Sequence, residues 1–210
     1  MTPTTTTKDL YTIMHERKSV RKYDPTFKMT QAELEEILTE ATSAPSSSNL
    51  QPWRFIVIQD DATKKELRAI ANNQEQIETS SAVIAVIGDA EMYKNVEKIY
   101  TQNVIEGHMG EEQKNITISN THRMYPAAPL AVRQNIASFD AGLISMQLML
   151  IAKEKGLDTV TMGGFDKVKF AERFELPENQ FPIVLIAIGK AAAPAFGSSR
   201  LPLEDIARFI

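Results

Sequence analysis

The chain has 210 residues, of which 43% are apolar and none is cysteine, and its formal net charge is −4. This length can form one domain with a substantial core, and the lack of cysteine excludes disulfides, thiolate catalysis and cysteine-bound metal. The acidic balance argues against a nucleic-acid partner and against a basic membrane-binding face. The histidines lack the i,i+4 spacing typical of a metal site.

The N-terminus shows no targeting signal. Met1-Thr2-Pro3 and the four threonines that follow contain no apolar signal-peptide core. No apolar run in the sequence approaches the length of a membrane span. We therefore expect a cytoplasmic protein without membrane contact.

The first predicted helix, over residues 8–17, ends in a dense group of cations. Arg17, Lys18, Arg21 and Lys22 lie within six residues. The negative end of the helix dipole accounts for one or two of them and leaves the others repelling each other. A bound anion, phosphate above all, would relieve this crowding through charge-assisted hydrogen bonds. The segment therefore favours an anion site.

A polar loop follows the second predicted helix, whose start is marked by a capping box at Thr30 and Glu33. The loop begins at Pro45 and runs to Trp53, where an apolar strand starts. It offers backbone N–H groups, three hydroxyls and two side-chain amides, which suit a planar ligand with polar edges. Proline, serine and asparagine also mark ordinary loops, so the loop alone leaves both interpretations open.

The next predicted elements are a strand at residues 54–59, a helix at 61–72 and a continuously apolar interior strand at 82–87. Residues 91–125 differ, because polar side chains outnumber aliphatic ones and two glycines interrupt them. We expect one or two short helices there, forming a lid-like excursion over the surface. Its two histidines and Arg123 are expected to be solvated.

Residues 129–155 carry the longest helical pattern, which is apolar on nearly all sides. Phe139 and Met146 repeat on one side, and Ile144 and Leu148 occupy the other. Such a helix is either the central helix of the domain or a helix packed against a second subunit.

A short strand after this helix ends in Gly163 and Gly164. Paired glycines indicate close approach of the backbone to a ligand, or a tight turn before the helix predicted at Asp166. A last strand is predicted at residues 183–188, and an extended tail follows it. No internal repeat or linker divides the sequence, so we expect residues 1–210 to form a single domain.

Four motifs, in this order and at this spacing, make the chain resemble the FMN-dependent nitroreductases. They are Arg17-Lys18-Ser19-Val20-Arg21, Ala44-Pro45-Ser46-Ser47-Ser48-Asn49-Leu50-Gln51-Pro52-Trp53, Gly156-Leu157-Asp158 through Gly163-Gly164-Phe165-Asp166, and Ser199-Arg200-Leu201-Pro202. The resemblance implies an α+β fold with a mostly antiparallel central sheet flanked by helices. It also implies an intertwined homodimer that holds two FMN molecules at its interface. The C-terminal segment of each subunit would add a strand to the sheet of the other.

The resemblance further implies which residues bind the cofactor. Arg17, Lys18 and Ser19 would hold the FMN phosphate and ribityl chain, and Arg200 would close on the phosphate from the tail. Arg21 would lie near N1 and O2 of the flavin, where a fixed cation stabilises the charge of the reduced ring. The other positions line the flavin: Pro45, Ser46, Ser47, Ser48 and Asn49 from the partner subunit, Asn73 and Gln76 at the pyrimidine edge, and Met162, Gly163 and Gly164 near N5 and O4.

Three positions depart from the family pattern. Gly163 replaces a carboxylate found in many relatives, which loosens the pocket beside N5. Ser198 and Gln76 each replace a lysine found in part of the family. Because Ser198 lies in the tail that would close on the phosphate, its change makes the phosphate grip lighter by one cation.

The implied activity is that of an oxidoreductase with ping-pong turnover. NADH or NADPH would deliver hydride to flavin N5 and leave, and a nitroaromatic, quinone or activated alkene would then take the electrons. No side chain is needed as a nucleophile, acid or base. Two alternatives stay open: a relative with a narrow physiological substrate such as an enone or pteridine, and a flavin-binding store or sensor without turnover.

Overall fold

Four strands form the centre of the fold in the computed structural model, which describes residues 9–210. Their bounds are β1 (Trp53–Ile58), β2 (Ala82–Asp89), β3 (Asp158–Met162) and β4 (Gln180–Gly189). The spatial order is β1-β2-β4-β3, and each neighbouring pair is antiparallel. Helices lie on both sides of this sheet, so the predicted α+β class with an antiparallel centre is confirmed.

Nine α-helices accompany the sheet in the described part of the chain. They are α1 (Leu10–Glu16), α2 (Gln31–Ala41), α3 (Asp61–Ile70), α4 (Glu75–Thr79), α5 (Val96–Ile105), α6 (Glu111–Ala127), α7 (Leu130–Glu154), α8 (Lys167–Arg173) and α9 (Leu203–Ile206). The predicted start of the first helix at Lys8 lies outside the described residues. The capping box of α2 is confirmed, because Thr30 Oγ1 accepts the Glu33 N–H and Glu33 Oε2 accepts the Thr30 N–H.

Each face of the sheet carries its own apolar cluster, because alternate residues of a strand point in opposite directions. On one face Ile84 of β2 and Ile186 of β4 pack with Ile144 of α7. On the other face Leu67 of α3 and Phe170 of α8 pack against the strands. Strand β2 is buried along its whole length. This double burial explains why its sequence is a continuous apolar run.

Helix α7 has one buried face and one exposed apolar face. Ile144 and Leu148 lie in the core, whereas Phe139 is 67% exposed and Met146 is 40% exposed. Within one chain, burial therefore covers only one of the two apolar sides that the sequence predicts. By length and composition α7 is also the one helix of residues 9–210 that could cross a membrane. The packing of its inner face on the sheet is that of a core helix.

The excursion after β2 consists of a 3-10 turn (Met92–Asn95) followed by α5 and α6. Its inward side chains form a third apolar cluster with Leu50 and Ala137, to which Tyr100 of α5 contributes. Helix α6 has 17 residues and is longer than the short helices predicted there. It continues through Pro126, which lies in its last turn and interrupts few backbone bonds there.

The two edges of the sheet differ. Along β3, Ser19 forms a parallel bridge with Thr159, so the segment after α1 covers this edge. No strand in residues 9–210 pairs with the outer side of β1. The tail beyond β4 is largely exposed, including Phe196, Leu201 and Phe209. An apolar tail and an open edge thus coexist in one chain.

Candidate functional site

The cation group lies beside the covered edge of the sheet. The Val20 N–H donates to the Thr159 carbonyl at 3.1 Å, which fixes the segment between Lys18 and Arg21 along β3. Arg17 is half-buried, whereas Lys18 and Arg21 are exposed. None of these three cations forms an ion pair with another residue of the described chain. Their charges are therefore available to an anion.

The glycine pair lies at the end of β3. The Gly164 carbonyl accepts hydrogen bonds from Asn72 Nδ2 at 2.9 Å and from Gln74 Nε2 at 3.1 Å. A Cβ added at Gly163 would meet no atom within 4 Å. The Gly163 backbone therefore faces open space, where a ligand could approach it closely.

The turn before α4 reaches the same end of β3. Asn72 and Asn73 both adopt a left-handed backbone, with φ of 54° and 53°, which asparagine tolerates better than most residues. The Asn73 side chain is exposed. Gln76 is buried, and its amide donates to Gln74 Oε1 at 3.0 Å and to Met162 Sδ at 3.3 Å. Hydrogen bonds thus join this turn to the strand end.

A buried lysine holds the end of α4, the short helix that follows this turn. Lys64 of α3 is fully buried, and its amine donates to the carbonyls of Glu78 at 3.2 Å and Ser80 at 2.8 Å. The same amine pairs with Asp61 Oδ1 at 2.9 Å. The carbonyls at the end of α4, which lack helical partners, are satisfied in this way. The short helix that carries Gln76 is consequently fixed to α3.

The serine-rich loop and Arg200 of the tail form no polar contact with these residues within the described chain, although the start of the tail does, since the Ala192 N–H donates to the Lys22 carbonyl at 2.8 Å. No hydrogen bond or ion pair of residues 9–210 joins the loop, residues 45–49, to the cations or to the end of β3. Among residues 9–210, Arg200 forms hydrogen bonds with Ser198 and Ser199 alone. A single chain therefore brings together one part of the predicted site and leaves the other parts outside it.

The loop has anchors that the sequence analysis did not identify. Asp140 of α7 accepts from the Ser47 N–H at 2.9 Å and from the Ser47 hydroxyl at 3.0 Å. The Tyr100 and Tyr125 hydroxyls donate to the Ser48 carbonyl and Ser48 Oγ, each at 3.0 Å. A carboxylate within the buried apolar stripe of α7 was a signal for this anchor. Burial raises the pKa of the Asp140 carboxyl, and the Ser47 hydrogen bonds oppose that rise.

Two cavities flank the loop. The smaller one, of about 400 Å³, lies between α6 and α7 and is mostly apolar. Its lining comprises Ser48, Thr117, Asn120, Thr121, Met124, Tyr125, Ala128, Val132 and Ile136. The larger one, of about 850 Å³, has a mixed polar and apolar lining and lies towards α5, where Arg54, Asn95 and Lys98 contribute. No group of three histidine, aspartate or glutamate side chains in residues 9–210 could hold a metal ion.

The fold and the donor groups define an α+β protein equipped to hold an anionic ligand with a planar polar part. The chain belongs to the nitroreductase family, whose sequence model matches residues 14–190.

Several relatives resemble this chain over almost its whole length. "Putative NAD(P)H nitroreductase YdgI" of Bacillus subtilis (strain 168) is 44% identical over 205 residues, covering 97% of this chain and 98% of the relative. A crystal structure of a "putative nitroreductase in complex with FMN" from Exiguobacterium sibiricum 255-15 is 41% identical, with a TM-score of 0.92 and coverage of 97% and 98%. The "CLA biosynthesis enone reductase" of Lactiplantibacillus plantarum is 29% identical, with coverage of 96% and 94%.

Proposed function

We propose that the chain is an FMN-dependent oxidoreductase that passes hydride from NADH or NADPH, by way of flavin N5, to a nitroaromatic, quinone or activated alkene. One observation carries the proposal: hydrogen bonds join Gln76 to Met162 and Gln74 to Gly164 at the end of β3, and the segment that carries the unpaired cations is bridged to the same strand at Thr159. The FMN-bound relative, at 41% identity over nearly the full length, supports the choice of cofactor.

The residues present fit FMN. The cations suit a phosphate through charge-assisted hydrogen bonds. The exposed amide of Asn73 and the side-chain oxygen of Gln76 suit the polar edge of a pyrimidine ring, and the open backbone at Gly163 permits close approach near N5. When bound, FMN supplies reversible hydride chemistry at N5, so no side chain has to act as a nucleophile.

The proposed roles follow the same positions. Arg17, Lys18 and Ser19 hold the phosphate and ribityl chain. Arg21 holds a positive charge near N1 and O2, and Met162 packs below the ring with the two glycines. The loop at residues 45–49 and Arg200 complete the site in a homodimer, because a single chain leaves them outside it. The exposed face of α7 and the apolar tail supply surface for that dimer.

The apolar cavity beside Ser48 is the proposed acceptor pocket. Its lining of Met124, Val132 and Ile136 suits a flat, weakly polar molecule. Asn120 and the Tyr125 hydroxyl add a few polar groups that can orient such a molecule. The electron donor and the acceptor use the same face of the flavin in turn, so turnover is ping-pong.

A cytoplasmic location remains a prediction from the N-terminal sequence.

A substitution in the cavity tests the acceptor pocket. M124W fills part of the cavity, so we expect KM for a bulky quinone such as menadione to rise about tenfold, as for a poorly fitting side group. KM for benzoquinone should change less than threefold by the same estimate. The control is I116W, on the same helix but outside the lining. Equal KM changes for both quinones, or an equal effect of I116W, would contradict the assignment.

The cofactor is tested first by the absorbance spectrum of the purified protein and by acid release of its chromophore. Flavin bands and release of about one FMN per chain are expected for a tightly held cofactor. Colourless protein that takes up no added FMN would remove the proposal. Anaerobic titration with NADH and with NADPH then shows which donor bleaches the flavin band.

Turnover measurements distinguish the two alternatives, a narrow-substrate enzyme and a flavin store or sensor. The enone reductase of Lactiplantibacillus plantarum, related over 96% of this chain, favours a narrow physiological substrate as the second candidate. A single acceptor with kcat/KM far above all nitroaromatics and quinones would support it. A protein that binds FMN but oxidises no NAD(P)H when acceptors are supplied would be a store or sensor.

A further inference from the structure

The loop proposed to line the flavin has an unusual backbone. Ser48, Asn49 and Gln51 have φ of 48°, 50° and 50°. The left-handed region is disfavoured for residues with a Cβ, because the Cβ approaches the following carbonyl oxygen. Three such residues within four positions persist only where the surrounding structure holds them. The anchors of this loop therefore decide its shape.

The anchor at the start of this turn is Asp140. Its carboxylate accepts both donors of Ser47, the residue immediately before the left-handed Ser48. Asp140 is 1% exposed and lies on the 25-residue helix α7, next to the buried Ala141. It forms no ion pair with any residue of the described chain. The anchor thus belongs to a rigid element of the core.

A buried carboxylate without a cation is unfavourable for the folded state. The other side chains that hold the loop, Tyr100 and Tyr125, are neutral and belong to the excursion helices. A neutral residue at position 140 would pack in the core at lower cost. The charge is useful where two donors must be fixed in one direction, because a carboxylate accepts at both oxygens and does not donate.

We propose that Asp140 is a positioning residue for FMN binding: its carboxylate holds Ser47 and so preforms the left-handed turn that meets the flavin. This inference rests on the proposed function of the loop. A preformed loop loses less conformational freedom when the ligand binds, which appears as higher affinity. Asp140 acts through Ser47 and does not itself contact the ligand.

The test measures FMN affinity and the stability of the flavin-free protein in the same variants. For D140N we expect the FMN Kd to rise about tenfold to a hundredfold, as for loss of a hydrogen bond to a charged group. The unfolding temperature of flavin-free D140N should not fall below that of wild type. The control S145A removes another buried polar group of α7, one without a hydrogen-bond partner, and should bind FMN normally.

A double-mutant cycle separates positioning from general packing. If Asp140 acts through Ser47, the loss of FMN affinity in the double variant D140N/S47A should be smaller than the sum of the losses in the two single variants. Normal FMN binding by D140N would overturn the inference. Additive losses of FMN affinity, accompanied by a lower unfolding temperature of the flavin-free variants, would overturn it as well. Failure of wild-type protein to bind FMN would instead remove the proposed function, and the inference with it.

A measurement on wild-type protein covers the case in which D140N does not fold. In the flavin-free state, the Ser47 amide hydrogen should be protected from exchange, because Asp140 accepts it in the absence of ligand. Exchange of this amide at the rate of an unfolded chain would show that the loop is not preformed. That result would overturn the inference.

Discussion

Arg17, Lys18 and Arg21 carry positive charge along the edge of β3 with no acidic partner in residues 9–210. Exposed cations that lie this close repel each other, although solvent and salt weaken the repulsion. A phosphate among them replaces repulsion with charge-assisted hydrogen bonds. We therefore expect these cations to favour FMN over flavins that lack a phosphate.

Riboflavin, which has the same ring and no phosphate, tests this preference for a flavin that carries a phosphate. We expect K18Q to raise the Kd of FMN about tenfold or more, as for one lost bond between charged groups. The Kd of riboflavin should stay within about twofold, because no phosphate contact is lost. The control is K65Q, which makes the same charge change at an exposed lysine of α3. Equal weakening of both flavins would place Lys18 away from the phosphate.

Asp140 predicts a dependence of stability on pH. Its folded pKa is raised by burial, so the folded state takes up the proton more readily than the unfolded state. Stability gained from this group is present at low pH and is lost as pH rises through the raised pKa. The unfolding temperature of flavin-free D140N minus that of wild type should therefore shrink as pH falls from 7 towards the ordinary value of 3.8. A pH-independent difference in calorimetry would contradict the shift.

Residue-level features were predictable from the sequence where the signal was local. The cations and the capping box at Thr30 are dense local patterns, and the structure confirms the capping box. The link between Ser47 and Asp140 spans 93 positions, and no local pattern defines such a contact. Tyr125 likewise reaches Ser48 across 77 positions. Long-range polar pairs depend on how elements pack, which periodicity does not specify.

Helix α7 shows the same contrast at the scale of elements: a local pattern predicts the helix but not everything that packs against it. Its periodicity correctly predicted a long helix, and Ile144 and Leu148 on one side of it lie in the core. The sequence did not distinguish a helix buried on all sides from one with an apolar face left for another subunit. Phe139, 67% exposed, lies on that outer face. An aromatic side chain of this exposure, beside Met146, marks a surface that association would cover.

A charge placed on the outer face of α7 tests whether this face forms the subunit interface. We expect F139D to raise the dissociation constant of the homodimer on the order of a thousandfold, since each of two symmetric copies loses about 2 kcal/mol of apolar burial. Light scattering across a dilution series measures this. The control is V168D on α8, whose side chain is equally exposed at 68%. A dimer as stable as wild type in F139D would place the interface elsewhere.

At the scale of the whole molecule, one arrangement can account for both the exposed tail and the incomplete flavin site. The chain holds one part of the predicted flavin site along β3 and carries the loop and Arg200 elsewhere. Its tail exposes Phe196, Leu201 and Phe209, the last at 87%. Apolar side chains in this number on an extended segment are expensive to leave in water. A second copy that receives the tail would cover them and complete two sites at once.

Deletion of residues 196–210 tests this arrangement. We expect the shortened protein to unfold at a lower temperature, by roughly 5 °C or more, because each kcal/mol shifts a chain of this size by about 2–4 °C. Its unfolding temperature should also vary more steeply with protein concentration. The control keeps full length and replaces Phe196, Leu201 and Phe209 by serine, which should give most of the same loss. Unchanged stability in both proteins would show that the tail does not support the fold.

The open edge of β1 has a consequence for how the protein is made. An unpaired apolar strand edge is a template for strands of any other chain, so a newly folded monomer can enter aggregates. Correct assembly and aggregation both depend on encounters between chains, and both become faster as protein concentration rises. Refolding yield should therefore pass through an optimum at intermediate concentration. If the tail of a partner chain pairs with β1, chains released close together from one polysome would cover this edge soonest.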